Sequence, residues 1–217
     1  MTPADIPKVN AKLKTEFLKG RAPIIELIHA HTQDPFKVLA ATILSSRTQD
    51  ATTATACRRL FSDVHTPADL EALSEDEIAK RIFPVGFYRV KAAHLKRLPS
   101  ELRERFSGRV PHTIDELCQL PGVGRKTANL VVSVAFDRPG ICVDVHVHRI
   151  SNRLGLVKTR TPYETEMALR DLLPRRYWKT WNRYLVSFGQ TVCRPVNPHC
   201  PTCPIARWCD TGRRAGA

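Results

Sequence analysis

The chain has 217 residues, of which 42% are hydrophobic, enough to bury a sizeable core in one or two domains. Its apolar stretches, such as residues 130–136, are far shorter than the about 18 residues of a membrane span, and the N-terminus lacks the basic and apolar regions of a signal peptide, so we expect a cytoplasmic protein. Lys and Arg number 34 against 21 acidic residues, and this formal charge of +13 favours a polyanionic partner, although a merely solvated basic surface explains it equally well.

Helical patterns follow one another along the chain with short connections, which predicts an all-α protein. A capping residue followed by proline, or by glutamate three positions later, marks several helix starts: Thr66-Pro67, Ser74 with Glu77, Thr113 with Glu116, and Thr161-Pro162 with Glu164. Amphipathic runs cover residues 36–44, 51–61, 88–106 with an interruption at Pro99, 126–136, 163–173 and 178–188. We expect the residues after Cys209 to be frayed.

Residues 141–148 have two competing interpretations. Apolar and polar residues alternate in Ile-Cys-Val-Asp-Val-His-Val-His, as they do in a strand. Alternatively, Asp144 is an N-cap, and Val147, Ile150 and Leu154 share one face of the helix that follows. We favour the helix, because no partner strand is evident elsewhere in the sequence.

A glycine-rich turn, Leu-Pro-Gly-Val-Gly-Arg-Lys-Thr-Ala over residues 120–128, joins two helical patterns. Gly122 and Gly124 allow a tight turn and a close approach to a ligand, and the helix that follows presents unpaired N–H groups. Such a turn can hold a phosphate without reading a base, so we expect Gly122, Val123, Gly124 and Arg125 to contact DNA. Glycine also occurs in ordinary helix–helix turns, but the whole string resembles the helix-hairpin-helix DNA-binding motif.

Lys126 follows this turn at the start of a helix, where a lysine is unfavourable for the helix dipole. That electropositive setting, together with burial, favours the neutral and nucleophilic form of the amine. A neutral amine beside a DNA backbone can attack the sugar C1′ and form a Schiff base. Asp144 is the candidate carboxylate that stabilises the cationic sugar and relays protons. By itself, a Lys/Asp pair eighteen residues apart is weak evidence.

Four of the seven cysteines lie in the C-terminal part of the chain, with the spacing Cys193-x6-Cys200-x2-Cys203-x5-Cys209. Four thiolates so close in sequence can hold one ion or one cluster. A structural zinc is the simpler alternative, but zinc ribbons usually have two close Cys-x2-Cys pairs, and this segment has one. The other three, Cys57, Cys118 and Cys142, are expected to be buried thiols.

The segments 120–144 and 145–153 resemble the active-site region of the endonuclease III family of DNA glycosylases. The resemblance implies that Lys126, within Gly-Arg-Lys-Thr-Ala, is the nucleophile and that Asp144, within Val-Asp-Val-His, is the catalytic carboxylate. His146 matches the family histidine and is expected to be a packing or DNA-side residue, whereas His148 is expected to be solvated or to cap a helix. The cysteine spacing matches the family's cluster loop and implies a [4Fe-4S] cluster.

The same resemblance points to two loops, residues 45–50 and 85–89, that fill the gap left by an everted base. Arg47 and Phe87 occupy positions where many bacterial relatives have glutamine and leucine. Phe87 can act as a wedge and Arg47 can hydrogen-bond the orphaned base; alternatively, Phe87 belongs to the core and Arg47 contacts a phosphate. In that family the loop between the first two cysteines contacts DNA phosphates, and between Cys193 and Cys200 only Arg194 offers the charge for this contact.

The resemblance covers roughly residues 15–210 and implies two helical lobes with a DNA-binding groove between them. A six-helix barrel with the hairpin is expected at 28–138, and a lobe with the [4Fe-4S] cluster at 1–27 and 139–217. The implied protein is a nucleoid-associated monomer that binds double-stranded DNA containing damaged bases or abasic sites.

The implied activity is that of a bifunctional glycosylase that excises oxidised pyrimidines and nicks the strand by β-elimination. One alternative is a sister glycosylase for adenine or for mismatched uracil or thymine. Relatives of both kinds tend to lack the lysine, and adenine glycosylases also need an acid within the helix matching residues 37–46, which has none. From a different class, a non-catalytic DNA binder or a cluster-based redox sensor would have the same fold signals.

Overall fold

The computed structural model describes residues 1–19 and 24–216, and no strand occurs within these ranges, which confirms the all-α fold. The helices are α1 (Ile6–Phe17), α2 (Ile24–Thr32), α3 (Pro35–Ser45), α4 (Asp50–Leu60), α5 (Pro67–Ala72), α6 (Glu75–Ile82), α7 (Tyr88–Phe106), α8 (Ile114–Leu117), α9 (Arg125–Ala135), α10 (Val145–Leu154), α11 (Pro162–Leu172), α12 (Trp178–Thr191) and α13 (Asp210–Arg214). Short 3₁₀ segments precede α1 and α12 and lie between Cys200 and Trp208.

The predicted start signals cap their helices. The side chains of Thr66, Ser74, Thr113 and Thr161 each accept a hydrogen bond from the backbone N–H three residues later, at 3.2–3.3 Å. Each bond satisfies a donor that the first turn of a helix leaves without a partner. These local signals therefore fix the first residues of α5, α6, α8 and α11.

Helix α7 runs through Pro99, so the expected interruption is wrong. Proline removes one backbone hydrogen bond and crowds the preceding turn, which disfavours a helix interior. Leu95, Leu98 and Leu102, on both sides of Pro99, are completely buried. Packing of this apolar face retains the helix despite the missing bond.

Two compact units divide the chain. One comprises Pro23–Arg138 and has a core that includes Leu39, Leu44, Leu60 and Leu95, while its helices α3 and α9 pack together. The other comprises Met1–Ala22 and Pro139–Ala217, and its core surrounds the buried Trp181. In this second unit, α12 packs against both α1 and α10.

The tail after Cys209 is ordered rather than frayed, because it forms α13. Gly212 is buried and lies so close to Ala206 that a Cβ at residue 212 would meet its Cα at 3.0 Å. Asp210, at the start of α13, pairs with Arg213. No helix in the described ranges has the length and apolar character needed to cross a membrane.

Candidate functional site

The glycine-rich turn connects α8 to α9 and contains one glycine that the backbone requires. Gly122 has a φ of +75°, a left-handed conformation that disfavours other residues, and a Cβ there would lie 2.6 Å from Nδ1 of His94. Val123 is buried, and its N–H donates to the carbonyl of Leu120 at 3.2 Å. Gly124 is the N-cap of α9, and no atom lies within 4 Å of a Cβ built there. The turn is thus packed against the protein at Gly122 and Val123, while the backbone of Gly124 remains open to a ligand.

Helix α9 begins directly after this open backbone. Its first hydrogen bond joins the N–H of Ala128 to the carbonyl of Gly124, at 2.9 Å, so the N–H groups of residues 125–127 cannot bond within the helix. Lys126, in this first turn, is exposed, and the burial that we expected to favour its neutral form is absent from the chain alone. Thr127, Ala128 and Asn129, the next three residues, are buried, so this side of α9 packs into the first unit.

Asp144 is the N-cap of α10, which confirms the helical interpretation of this segment. Its Oδ1 accepts hydrogen bonds from the N–H groups of His146 and Val147, each at 2.9 Å. Val147, Ile150 and Leu154 are buried on one face, as the helical spacing predicts. Because both bonds go to Oδ1, and no hydrogen bond to Oδ2 is found among the described residues, the carboxylate is positioned but retains an oxygen for a ligand.

The two histidines of this segment both pack within the second unit. Nη2 of Arg149 donates to Nδ1 of His146 at 3.1 Å, and the ring of His146 lies so close to Gly189 that a Cβ there would be 2.3 Å from Nδ1. His148 is not a solvated or capping residue as we expected. It is half-buried, and its Nδ1 is hydrogen-bonded to Oγ1 of Thr165 at 2.7 Å.

The two loops predicted to fill a lesion gap lie side by side within the first unit. The guanidinium of Arg47 is 5.5 Å from the centre of the Phe87 ring, and the N–H of Gly86 donates to Oγ1 of Thr48 at 3.1 Å. Phe87 is 62% exposed, which excludes the alternative that it belongs to the core. Arg47 is exposed as well, so both side chains face solvent.

Sequence reasoning missed Lys91, which connects these loops to α7. Its ammonium is buried and donates to the carbonyls of Leu44 and Ser46, at 2.8 and 2.5 Å, and to Oγ1 of Thr48 at 3.2 Å. Burial lowers the pKa of Lys91 to about 8. A signal was present, because Lys91 continues the apolar face formed by Leu95, Leu98 and Leu102 at helical spacing.

The four C-terminal cysteines line one pocket in the second unit, together with apolar side chains that include Ile150, Phe188 and Ile205. Cys203 is half-buried, and this burial raises the pKa of its thiol to about 11. A thiol in such surroundings becomes a thiolate only beside a compensating positive charge.

Arg153 and Arg194 lie beside this pocket. Nη1 of Arg153 donates to Sγ of Cys193 at 3.4 Å and to the carbonyl of Arg194 at 2.7 Å. The side chain of Arg194 is exposed. Cys118, expected to be a buried thiol, is instead exposed, whereas Cys57 and Cys142 are buried.

Comparison with known proteins matches residues 40–175 to the model of the HhH-GPD superfamily of base excision DNA repair proteins. The endonuclease III of Thermotoga maritima is 48% identical over 183 residues, which are 84% of this chain and 86% of that protein. A solved structure of a trapped covalent intermediate between endonuclease III and DNA is 36% identical, with a TM-score of 0.88 over the whole of both chains. A thermostable thymine-DNA glycosylase is 25% identical, with a TM-score of 0.82 over 96% of each chain.

The chain belongs to the endonuclease III family. It is a base excision repair DNA glycosylase, and AP lyase activity is typical of its family. The turn over residues 120–128 is accordingly a helix-hairpin-helix motif. DNA is thus the polyanion that the chain's positive charge favours.

Proposed function

We propose that this glycosylase excises oxidised pyrimidines from double-stranded DNA and then cleaves the strand at the abasic sugar. The observation that carries the proposal is the position of Lys126. It lies in the first turn of α9, directly after the open backbone of Gly124, with its side chain exposed. A phosphate held at this helix start would place the sugars of the bound strand near the amine.

The proposed reaction begins at C1′ of an everted nucleotide. Nζ of Lys126, in its neutral form, attacks C1′ while the bond from C1′ to the base breaks and the base leaves with the bonding electrons. Loss of a proton from the nitrogen and opening of the sugar give a Schiff base. Removal of a C2′ proton then expels the 3′ phosphate and nicks the strand. Lys126 is exposed in the chain alone, so a bound strand can reach its amine directly.

Asp144 is the proposed carboxylate for this reaction. Positive charge develops on the sugar as the base departs, and a fixed carboxylate stabilises that charge. The two backbone N–H groups that bond Oδ1 hold the side chain in one orientation before substrate arrives. Oδ2 would then face the sugar or relay a proton.

The proposed DNA contacts divide by function. Gly122, Val123, Gly124 and Arg125 would hold a phosphate, and Arg194 would contact the backbone from the cysteine segment. Phe87 would fill the gap left by the everted base, and Arg47 would meet the orphaned base. His146 is the second residue of α10 and packs against Gly189, and from there it would support Asp144. The proposed active species is a monomer.

We also propose that Cys193, Cys200, Cys203 and Cys209 hold a [4Fe-4S] cluster. The donor set fits, since four thiols line one pocket with apolar walls. The spacing Cys-x6-Cys-x2-Cys-x5-Cys contains one close pair rather than the two of a zinc ribbon, which favours a cluster over one zinc. When bound, the cluster would stabilise a loop-rich segment that has few apolar side chains of its own.

A borohydride trap tests the proposal. Reduction of the Schiff base should link the wild-type protein covalently to a duplex with one oxidised pyrimidine, and Lys126→Ala should abolish the adduct. Lys158→Ala, which changes an exposed lysine in the second unit, should trap as well as the wild type. The lyase proposal fails if the wild type gives no adduct, or if Lys126→Ala traps normally.

Excision of mismatched thymine or uracil is the second candidate, favoured by the likeness to the thymine-DNA glycosylase. A panel of duplexes, each with one lesion or mismatch, separates the two activities when base release and strand cleavage are measured independently. Oxidised pyrimidines should give both products. Release of thymine or uracil without strand cleavage would instead favour the second candidate.

A further inference from the structure

The two loops that carry Arg47 and Phe87 are held in an unfavourable backbone conformation. The φ angle is +52° at Arg47 and +57° at Phe87, within the left-handed region that residues with a Cβ rarely adopt. Such a conformation is unfavourable and persists only where the surrounding structure imposes it. Both loops therefore need contacts that hold them, and these contacts come from Thr48 and Lys91.

Thr48 connects the two loops through one hydroxyl. Its Oγ1 accepts from the N–H of Gly86 at 3.1 Å and from Nζ of Lys91 at 3.2 Å, and it donates to the carbonyl of Ser46 at 3.2 Å. One donor and two acceptor positions of the hydroxyl are thus all used. The loops also touch directly, since a Cβ at Gly86 would lie 2.6 Å from the carbonyl oxygen of Arg47.

Lys91 fixes the end of α3 from which the first loop departs. Its three acceptors match the three donors of an ammonium: the carbonyl of Leu44 in the last turn of α3, the carbonyl of Ser46, and Oγ1 of Thr48. The residue is only 6% exposed. Removing Nζ would leave two carbonyls without this donor at a largely buried site, which destabilises the end of α3 and the start of the loop.

We propose that Lys91 and Thr48 are positioning residues that hold Arg47 and Phe87 in the geometry needed to fill the lesion gap. The inference rests on the proposed function of these two loops and extends it to residues that touch no substrate. Lys91 lies one helical turn after Phe87, and its backbone N–H donates to the carbonyl of Phe87. The hydrogen bonds of its ammonium all go to the segment that carries Arg47. It therefore ties the wedge and its partner residue to one rigid helix, α7.

The test compares Lys91→Met with Lys96→Met. Lys96 lies on the same helix and donates to the carbonyls of Glu71 and Leu73, at 2.7 and 2.8 Å, at the end of α5. Each variant removes an ammonium that bonds backbone carbonyls of a neighbouring helix, but only Lys91 contacts the gap-filling loops. Thermal unfolding of each variant sets an assay temperature at which both are folded.

Base release from a paired oxidised pyrimidine and cleavage at a preformed abasic site are measured for both variants. An abasic nucleotide has no base to unstack, so it depends less on a well-placed wedge. Lys91→Met should lower the maximal rate of base release by about 10- to 100-fold, with a smaller loss at the abasic site. Lys96→Met should lower neither, and Thr48→Val, which keeps the shape of the side chain, should give a weaker form of the Lys91→Met defect.

Three results would overturn the inference while leaving the proposed function in place. Equal base release by the two lysine variants would show that Lys91 only supports the fold, as would an equal loss by Lys91→Met on both substrates. Unchanged base release by Thr48→Val would remove the connection between the loops. A wild-type protein that releases no oxidised pyrimidine overturns the proposed function, and this inference with it, whereas the other results leave that function intact.

Discussion

Arg47 and Phe87 face each other across two loops that are far apart in sequence, with the guanidinium 5.5 Å from the ring centre. Both residues have a positive φ, and Phe87 exposes 62% of its surface to solvent. An aromatic side chain this exposed adds little stability through burial, and its backbone conformation is unfavourable. Stability alone gives no reason for phenylalanine at this position, whereas a wedge for a DNA gap does.

Replacing Phe87 separates its two effects. Alanine removes the ring but retains a Cβ at a φ of +57°, whereas glycine removes both. The left-handed conformation costs about 1–2 kcal/mol for a residue with a Cβ, and glycine avoids this cost. Glycine also makes the unfolded chain more flexible, which offsets about 0.5–1 kcal/mol of that advantage. Phe87→Gly should therefore be more stable than Phe87→Ala in urea unfolding, the reverse of their usual order.

Both Phe87 variants should nevertheless release a paired oxidised pyrimidine more slowly than the wild type, since the wedge is absent from both. Equal stability of the two variants would argue against backbone strain at this residue. Normal base release by either variant would argue against the wedge.

The hairpin offers two glycines with opposite expectations. Gly122→Ala places a Cβ at a φ of +75° and 2.6 Å from His94, so it should lower the free energy of unfolding by about 1–2 kcal/mol or more. Gly124→Ala meets no atom within 4 Å at a φ of −90° and should cost less than about 1 kcal/mol. Chemical unfolding of both variants checks this difference.

Gly124→Ala then becomes a clean probe of the DNA contact, because its fold is retained. The new methyl group would occupy the open side of the turn, so affinity for duplex DNA should fall and the dependence of binding on salt should become less steep. Full affinity and an unchanged salt slope for Gly124→Ala would show that no phosphate approaches this backbone.

The sequence predicts those parts of the fold that depend on local chemistry. Thr66, Ser74 and Asp144 cap helices through bonds to backbone N–H groups two or three residues away, and such bonds are visible in the pattern of residues. The same reasoning gives wrong predictions at Pro99 and in the tail after Cys209. Leu98 is buried in the core of its unit, and Gly212 packs closely against Ala206, and the signals that start and end a helix record neither contact.

The candidate site shows the same division. The positions of Lys126 and Asp144 at helix starts follow from the glycines and the cap, but the exposure of Lys126 is a property of the folded surface. The three acceptors around Lys91 come from the end of α3 and from the loop after it, more than forty residues earlier in the chain. Tertiary packing decides which groups surround a buried charge, so the sequence shows that Lys91 lies on the buried face of its helix but not which groups accept its hydrogen bonds.

The proposed cluster predicts the iron and sulfide content of the protein. Purified protein should contain about four irons and four acid-labile sulfides per chain, and Cys203→Ser should lose most of both. Cys118→Ser, at an exposed cysteine of the first unit, should retain them. Cys203→Ser should also unfold at a lower temperature, because the cluster stabilises the folded segment. One tightly bound zinc per chain, without iron or sulfide, would replace the cluster assignment.

Asp144→Asn separates catalysis from capping. Asparagine keeps an oxygen that can accept from the N–H groups of His146 and Val147, and it is as good an N-cap as aspartate. The variant loses only the interaction of a negative charge with the helix dipole, about 0.3–1 kcal/mol. Its thermal unfolding should therefore resemble that of Asp34→Asn, which changes the N-cap of α3, where Asp34 accepts from Phe36.

Base release should distinguish these two variants. Asp144→Asn removes the charge proposed to stabilise the cationic sugar, a term that should lower the rate by about 100-fold or more. Asp34→Asn should excise oxidised pyrimidines at the wild-type rate. Asp144→Ala should show the same catalytic loss together with about 1 kcal/mol of lost stability, because it removes the cap as well. If Asp144→Asn is as active as Asp34→Asn, the carboxylate serves only the start of α10, and the sugar cation must be stabilised by another group.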